Sequence, residues 1–125
     1  MKLKVTENQG ETIIPADMYE AKIKSYAAID GNYGQCVRFD FEVSEGTYKG
    51  VTKNLLAALK VSRSSKGESK LLNLAQVVLG KSLGLDDEID FDELLEKPCR
   101  IVLGDPVTKD GMQYQKVDKV LPSKL

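Results

Sequence analysis

The chain has 125 residues, of which 42% are hydrophobic and 30% charged, and its 18 basic and 19 acidic side chains give a formal net charge of −1. A chain of this length forms one domain, residues 1–125, whose core needs neither disulfides nor a structural metal. It contains no histidine, the commonest general base and metal ligand, which disfavours most hydrolytic mechanisms. The composition predicts a soluble globular protein, and with the motifs weighed below we expect one that is not an enzyme and holds no cofactor or metal.

Neither a membrane span nor a secretory signal is predicted. The longest uninterrupted apolar run, residues 55–59, is far too short to cross a bilayer, and no apolar block follows the lysines at the amino terminus. Cys36 and Cys99 lie far apart in apolar surroundings, without the spacing of a metal or redox motif. We therefore expect a cytoplasmic protein with two reduced, buried thiols rather than a disulfide.

The amino-terminal half predicts strands joined by tight turns. Residues 1–17 show no clear period and are interpreted as an arm or an edge strand. From residue 18 apolar and polar side chains alternate as in a first strand, residues 30–34 predict a turn, and residues 36–43 form a second strand with the cleanest alternation in the chain. The predicted core positions are Tyr19, Ala21, Ile23, Val37, Phe39, Phe41 and Val43. The predicted polar face of the first strand carries Glu20, Lys22, Lys24 and Tyr26.

The middle of the chain predicts a third strand and then a helix. Residues 51–55 continue the hairpin, whereas residues 55–59 fit either a strand or a helical turn. Residues 61–67 are polar and predict an exposed loop. Apolar residues at helical spacing predict a helix over residues 68–79, ended by Gly80.

The last third predicts a short helix and two more strands. A helix is expected from Asp90, because an acidic residue three positions later completes a capping box, and Pro98 ends it. Residues 99–103 alternate as a fourth strand. A tight turn at residues 110–111 leads into a fifth strand over residues 112–121.

A three-stranded meander, a helix and a closing hairpin form the topology of the OB barrel. Residues 18–23 and 37–43 carry an aromatic-rich alternation, and residues 46–50 end it in glycine, threonine, tyrosine, lysine and glycine. In these features the chain resembles small single-stranded-DNA-binding proteins of bacteriophages and prophages. The resemblance implies a mainly β, five-stranded OB-fold barrel with one helix between strands three and four and a short second helix.

That resemblance also implies a function. It is the binding of single-stranded DNA, or of RNA, with little sequence preference, during phage or prophage replication or recombination in the host cytoplasm. Replication or recombination proteins are the partners it implies. The chain ends in residues 121–125 without the acidic tail that many single-strand-binding proteins use for recruitment, so recruitment of that kind is not expected here.

The charges are unevenly distributed along the chain. Residues 47–70 carry six basic side chains against the single Glu68, whereas residues 84–96 carry seven acidic side chains and no basic one. A single strand needs cations along its phosphates and flat rings on which its bases stack. We therefore predict a positive side, with a groove along strands one to three, and a negative side. The candidate nucleic-acid-binding residues are Lys22, Lys24, Tyr26, Tyr33, Arg38, Tyr48, Lys49, Lys53, Lys60, Arg63 and Lys66.

Other interpretations fit the same residues. Solvation of an ordinary sheet surface explains many of the lysines, and Asp40 and Glu42 share the face of Arg38, where they would repel phosphates. The acidic run fits a helix amino terminus as well as a docking site for a partner. An OB-like module for protein interaction, or for formation of a homodimer, is therefore the alternative function.

Three patterns imitate catalytic or metal sites. Residues 75–82 approach a phosphate-binding loop, but a helix precedes the glycine where a strand is required. Residues 86–97 begin like a calcium loop but lack its central glycine and its final glutamate. Glu20, Lys22 and Asp40 would suit a magnesium-dependent nuclease, which is kept as a third hypothesis.

Overall fold

The computed structural model describes residues 12–31 and 34–124. Within them the strands are β1 (Asp17–Gly31), β2 (Gly34–Val43), β3 (Thr52–Ala58), β4 (Arg63–Ser64), β5 (Gly67–Glu68), β6 (Pro98–Leu103), β7 (Val107–Lys109), β8 (Met112–Tyr114) and β9 (Val117–Pro122). Helix α1 spans Lys70–Leu79, and a short 3₁₀ helix spans Phe91–Leu94.

Five of these strands form one antiparallel sheet in the order β3-β2-β1-β6-β9, while β4-β5 and β7-β8 are separate hairpins. The predicted mainly β fold with a five-stranded sheet is therefore confirmed. The predicted barrel is not, because in the described chain no backbone ladder joins β3 to β9 and the sheet stays open. Helix α1 packs against both edge strands and places Leu71, Leu74 and Val78 in the core. Apolar side chains thus fill the gap that hydrogen bonds close in a barrel.

The core lies on one face of this sheet, as the alternation in β2 predicts. Val37, Phe39, Phe41 and Val43 are at most 1% exposed. The residues between them face away from the core and are only partly covered. Each fully buried side chain of this kind stabilises the fold by roughly 1.5–3 kcal/mol, so these four residues of β2 are major contributors to the core.

Strand β1 contains a bulge that the sequence pattern did not predict. Ile23 pairs with Phe41 and Ser25 pairs with Asp40, so Lys24 is an extra residue without a partner on β2. An extra residue shifts the period of alternation, and everything beyond it changes faces. The predicted polar position of Tyr26 is therefore wrong, because Tyr26 pairs with the core residue Phe39.

The segment before β1 is fixed to the far end of the chain. Of the arm or edge strand predicted over residues 1–17, residues 1–11 lie outside the described residues, and residues 12–16 form no strand. Ile14 is buried, and its N–H donates to Oε1 of Gln115 at 3.1 Å. The Gln115 amide nitrogen donates in return to the carbonyl of Ile14 at 2.8 Å and to that of Gly104 at 3.0 Å.

The remaining strands differ from prediction mainly in extent. Residues 55–59, which fitted strand or helix, continue β3 as far as Ala58. The single fifth strand predicted over residues 112–121 is wrong, because β8 pairs with β7 whereas β9 pairs with β6. The turn at residues 110–111 is confirmed, with φ of 53° and 78°, as a two-residue hairpin turn requires. The loop predicted over residues 61–67 contains the small β4-β5 hairpin.

Helix α1 begins and ends where its caps are. The Ser69 side chain accepts a hydrogen bond from the Leu72 N–H, so the helix starts at Lys70 and not at residue 68. Gly80 takes the left-handed conformation, with φ of 71°, and ends it as predicted. The helix predicted from Asp90 is only a 3₁₀ helix. No helix in the described ranges has the length and apolarity that a membrane crossing requires.

Candidate nucleic-acid interface

The face of β1, β2 and β3 that is turned away from the core forms one surface, here called the outer face. Its side chains lie in rows across the three strands, as the strand pairing sets them. From one end to the other the rows are Lys22, Glu42 and Thr52; Ser25, Asp40 and Asn54; Ala27, Arg38 and Leu56; Ile29, Cys36 and Ala58. The first two rows are called the acidic end, and the last two, which lie toward the paired Gly31 and Gly34, the turn end.

The two ends of the outer face differ in chemistry. The acidic end carries the carboxylates of Asp40 and Glu42. Asp40 accepts a hydrogen bond from the Ser25 hydroxyl at 2.8 Å, and Glu42 lies opposite Lys22. The turn end has only small or apolar side chains around Arg38, and Leu56 there is 50% exposed. The carboxylates expected to repel phosphates thus leave half of this surface free of negative charge.

Arg38 is at the centre of the turn end. Its Nε lies 3.3 Å from Oδ1 of Asp40, an ion pair at the border between the two ends. That nitrogen is buried and makes no hydrogen bond within the described part of the chain. The side chain as a whole remains 42% exposed. A guanidinium in this position presents its other donors and its flat face to a ligand.

Three of the predicted lysines are exposed and form no ion pair with any described residue: Lys49, Lys60 and Lys66. Lys60 follows Ala58 almost directly and therefore lies beside the turn end. Lys66 lies in the turn of the β4-β5 hairpin, and Lys49 lies in the turn between β2 and β3, beyond the acidic end. Of these three lysines, Lys60 is the one that the chain places beside the turn end, two residues after Ala58.

Lys22 and Lys24 instead share one carboxylate within the molecule. Their ammonium groups lie 3.2 and 3.0 Å from the carboxylate of Glu96. The hydrogen bond to Glu96 raises the pKa of Lys24, and hydrogen bonds from both lysines lower the pKa of Glu96. The prediction of separate positive and negative sides is therefore wrong at β1, because the acidic run folds back onto its lysines.

Arg63 holds three elements together. Its Nη2 lies 2.6 Å from Oε2 of Glu68, and it also donates to Gln76 at 2.8 Å and to the Leu83 carbonyl at 2.9 Å. The hydrogen bonds from Arg63 and Gln76 lower the pKa of Glu68. These contacts join the β4-β5 hairpin to α1 and to the loop that follows it. Arg63 is thus placed as a structural cation and not along the wall of a groove.

Lys53 does not lie along a groove either. It is 1% exposed, and its ammonium group donates to the backbone carbonyl of Thr12. Lys53 alternates with the buried residues Leu55 and Ala57, so its position on β3 faces the core. That period is visible in the sequence. The predicted groove position of Lys53 is wrong because the alternation along β3 turns this side chain toward the core.

The predicted tyrosines do not provide open rings. The Tyr26 ring packs edge-on against Phe91, with centroids 5.3 Å apart, and its hydroxyl donates to Oδ1 of Asp92 at 2.7 Å. That hydrogen bond raises the pKa of Tyr26. Tyr48 packs edge-on against Tyr19 at 5.9 Å. Tyr33 lies outside the described residues.

The structure brings forward residues that sequence reasoning missed. Tyr114 is 44% exposed, because it belongs to the β7-β8 hairpin and not to a long strand. Lys116 and Lys119 are exposed nearby in sequence, on either side of the start of β9. Their alternation resembles that of any surface strand, so the only signal in the sequence was an aromatic residue next to two lysines.

One of the two cysteines also belongs to the outer face. Both are free thiols, as predicted, but only Cys99 is fully buried, and burial raises its pKa to about 12. Cys36 is half-buried in the last row of the turn end. In the described ranges no three acidic or cysteine side chains converge as metal ligands.

Comparison with known proteins gives no relative from which a site can be transferred. No family model matches this chain, and no curated protein matches it. The functional assignment therefore depends on the chemistry of the surfaces described above.

Proposed function

We propose that the chain binds single-stranded DNA, with little sequence preference, through the turn end of the outer face. The observation that carries this proposal is a row of small and apolar side chains around a half-exposed Arg38. Bases need an apolar surface against which to lose water, and phosphates need cations beside it. Lys60 and Lys66 supply cations that hold no carboxylate among the described residues.

An OB-like fold is part of the proposal. The OB fold is a five-stranded, partly open barrel that binds oligonucleotides across strands two and three. The strand order β3-β2-β1-β6-β9 and the helix between β3 and β6 support this interpretation. The resemblance in sequence pattern adds the setting, which is phage or prophage replication or recombination. The protein acts there by binding and not by catalysis.

The mode of binding differs from the one expected from sequence. Stacking of a base on an aromatic side chain contributes ~1–3 kcal/mol, and neither Tyr26 nor Tyr48 is free to provide it. Contacts with phosphates therefore carry a larger share of the affinity, together with the Arg38 guanidinium on which a base can stack. We expect an affinity that depends steeply on salt.

Fluorescence anisotropy of a labelled oligo-dT, titrated at several salt concentrations, tests the proposal. The logarithm of the affinity should fall with the logarithm of salt at about −0.7 per phosphate contacted. Arg38→Ala should weaken binding and make that slope shallower. Arg100→Ala is the matched control, because Arg100 lies on β6, two strands away, and its Nε donates to the Pro122 carbonyl. Absence of binding at low salt overturns the proposal.

A protein-interaction module is the second candidate function. It is favoured by the exposure of Leu56, Leu59 and Val61, at 50%, 40% and 48%, next to one another along the chain. Apolar surface of this kind also suits contact with a second copy or another protein. Sedimentation velocity separates the two: self-association that Leu56→Glu abolishes, in a protein that binds no oligo-dT, favours the module.

A further inference from the structure

Two hollows lie side by side along the open edge of β3. One, of about 340 Å³, lies between β3, α1 and β9, and the other, of about 310 Å³, lies between β3 and the end of the β7-β8 hairpin. The first is lined by Leu55, Glu68, Lys70, Asn73, Leu74, Asp118, Lys119 and Val120. The second is lined by Asn54, Tyr114, Gln115 and Lys116. Together they are called the seam.

The seam is continuous with the outer face. Asn54 lies in the outer row of Asp40 and also lines the second hollow, beside Tyr114. The next residue, Leu55, lines the first hollow. A ligand that leaves the turn end along β3 therefore passes from Leu56 over Asn54, at the border of the acidic end, into the seam.

The charges of the seam suit an anion. Lys70, Lys116 and Lys119 form no ion pair with any residue the structure describes. Burial and the nearby charge of Lys116 lower the pKa of Lys70, whereas the nearby carboxylate of Asp118 raises it. Of the two carboxylates in the lining, Glu68 is held by Arg63 and Gln76. Asp118 remains, with its Oδ2 against the backbone of Gly104.

We propose that a bound single strand of sufficient length crosses the edge of β3 and passes its phosphates over Lys70, Lys116 and Lys119. The half-exposed ring of Tyr114 then offers the stacking surface that Tyr26 and Tyr48 do not. This inference rests on the proposed function, because it extends the path of the same ligand. It assigns a second contact region on the far side of β3, which short strands do not reach.

The test compares two oligonucleotide lengths. OB folds occupy about 4 to 16 nucleotides, so labelled oligo-dT of about 4 nucleotides probes the outer face and oligo-dT of about 16 probes both regions. The variant is the double substitution Lys116→Gln and Lys119→Gln. The control is the double substitution Lys81→Gln and Lys97→Gln, which removes the same charge from exposed lysines beyond the other end of α1 and before β6.

With the long oligonucleotide, we expect the seam variant to make the salt slope shallower by about 0.7 for each lysine that contacts a phosphate. The short oligonucleotide should bind the variant and the wild type alike, and the control should match the wild type at both lengths. Arginine at positions 116 and 119 should restore the slope. Tyr114→Ala should weaken only the long complex and leave its slope unchanged.

The outcomes separate the two proposals. Equal loss at both lengths, or no change in the long complex, overturns the seam while leaving the outer face as the site. A wild-type protein that binds neither oligonucleotide at low salt overturns the proposed function and the seam with it. Oligo-rU at the same lengths should give the same slopes, because lysines contact phosphates and not the 2′-hydroxyl.

Discussion

The turn end of the outer face and the acidic run over residues 86–96 differ in the hydrogen-bond and ion-pair partners that their polar groups have within the fold. In the acidic run, Glu96 binds both lysines of β1, and Asp92 accepts the hydroxyl of Tyr26. At the turn end, Nε of Arg38 has no hydrogen-bond partner in the described chain. The acidic run uses its charges to fasten the fold, whereas at the turn end Arg38 lies near one carboxylate, that of Asp40 at 3.3 Å, and Lys60 beside it forms no ion pair with a described residue. A binding surface is therefore indicated by the charge left over after folding, and not by the number of charged residues in a segment.

The largest expected effect is a loss of stability from a substitution in the core, compared with a loss of binding from a substitution at the turn end. Leu94 anchors the acidic run and is 0% exposed, so Leu94→Ala should lower the free energy of unfolding by about 3 kcal/mol. Leu56→Ala, at a half-exposed position of the turn end, should change it by less than about 0.5 kcal/mol yet weaken oligo-dT binding. Urea unfolding measures the first quantity and anisotropy the second. Equal destabilisation by both variants would place the turn end in the core.

A second prediction compares a lysine that the fold uses with one that it leaves free. Lys60→Met removes an exposed cation beside the turn end and should make the salt slope of oligo-dT binding shallower by about 0.7. Lys53→Met keeps the length of a side chain that is 1% exposed and should leave that slope unchanged. Removing the ammonium group leaves the Thr12 carbonyl without its donor, so Lys53→Met should also lower the free energy of unfolding. A shallower slope for Lys53→Met would return this residue to the interface.

Much of the fold was predictable because the spacing of apolar residues and the residues that form turns and caps act locally along the chain. The alternation of Val37, Phe39 and Phe41 predicts β2, and the caps at Ser69 and Gly80 explain the length of α1. The bulge at Lys24 was not predictable, because an extra residue in a strand leaves no mark on composition and only shifts the period. The open sheet was not predictable either, because it depends on how α1 packs between two strands that are distant in sequence.

The candidate site was predicted less well, and for a different reason. Sequence gives the number of cations but not their partners. Arg63 pairs with Glu68 five residues away, which the local sequence could suggest, whereas Lys24 pairs with Glu96 from the other half of the chain. Tyr26 required both the bulge and the contact with Phe91. Pairing decided which cations remained available: among the described residues of the predicted set, Lys49, Lys60 and Lys66 form no ion pair, while Arg38 pairs with Asp40 and stays 42% exposed.

The reactivity of the two cysteines distinguishes the turn end from the core. Thiolate is the reactive form, and burial that raises the pKa of Cys99 to about 12 keeps this residue protonated at pH 8. We expect a thiol-disulfide reagent to modify one thiol in the folded protein, Cys36, and two in denaturant. Bound oligo-dT should slow the modification of Cys36 because that residue lies at the turn end. Cys36→Ser should abolish the reaction of the folded protein, and reaction at Cys99 instead would contradict its burial.

The smallest expected effect is a change in the pKa of Glu96, which tests the ion pairs between the acidic run and β1. Hydrogen bonds from Lys24 and Lys22 lower the pKa of Glu96 below its ordinary value of 4.5, so the paired carboxylate stabilises the fold above that pH. This contribution is lost as the pH falls through the lowered pKa, because the unfolded chain binds the proton first. In Lys24→Gln the pKa of Glu96, followed by NMR, should rise toward 4.5. Because the pair is exposed and screened by salt, this rise in the pKa of Glu96 should shrink at high ionic strength. The affinity for oligo-dT at the turn end should not respond to Lys24→Gln.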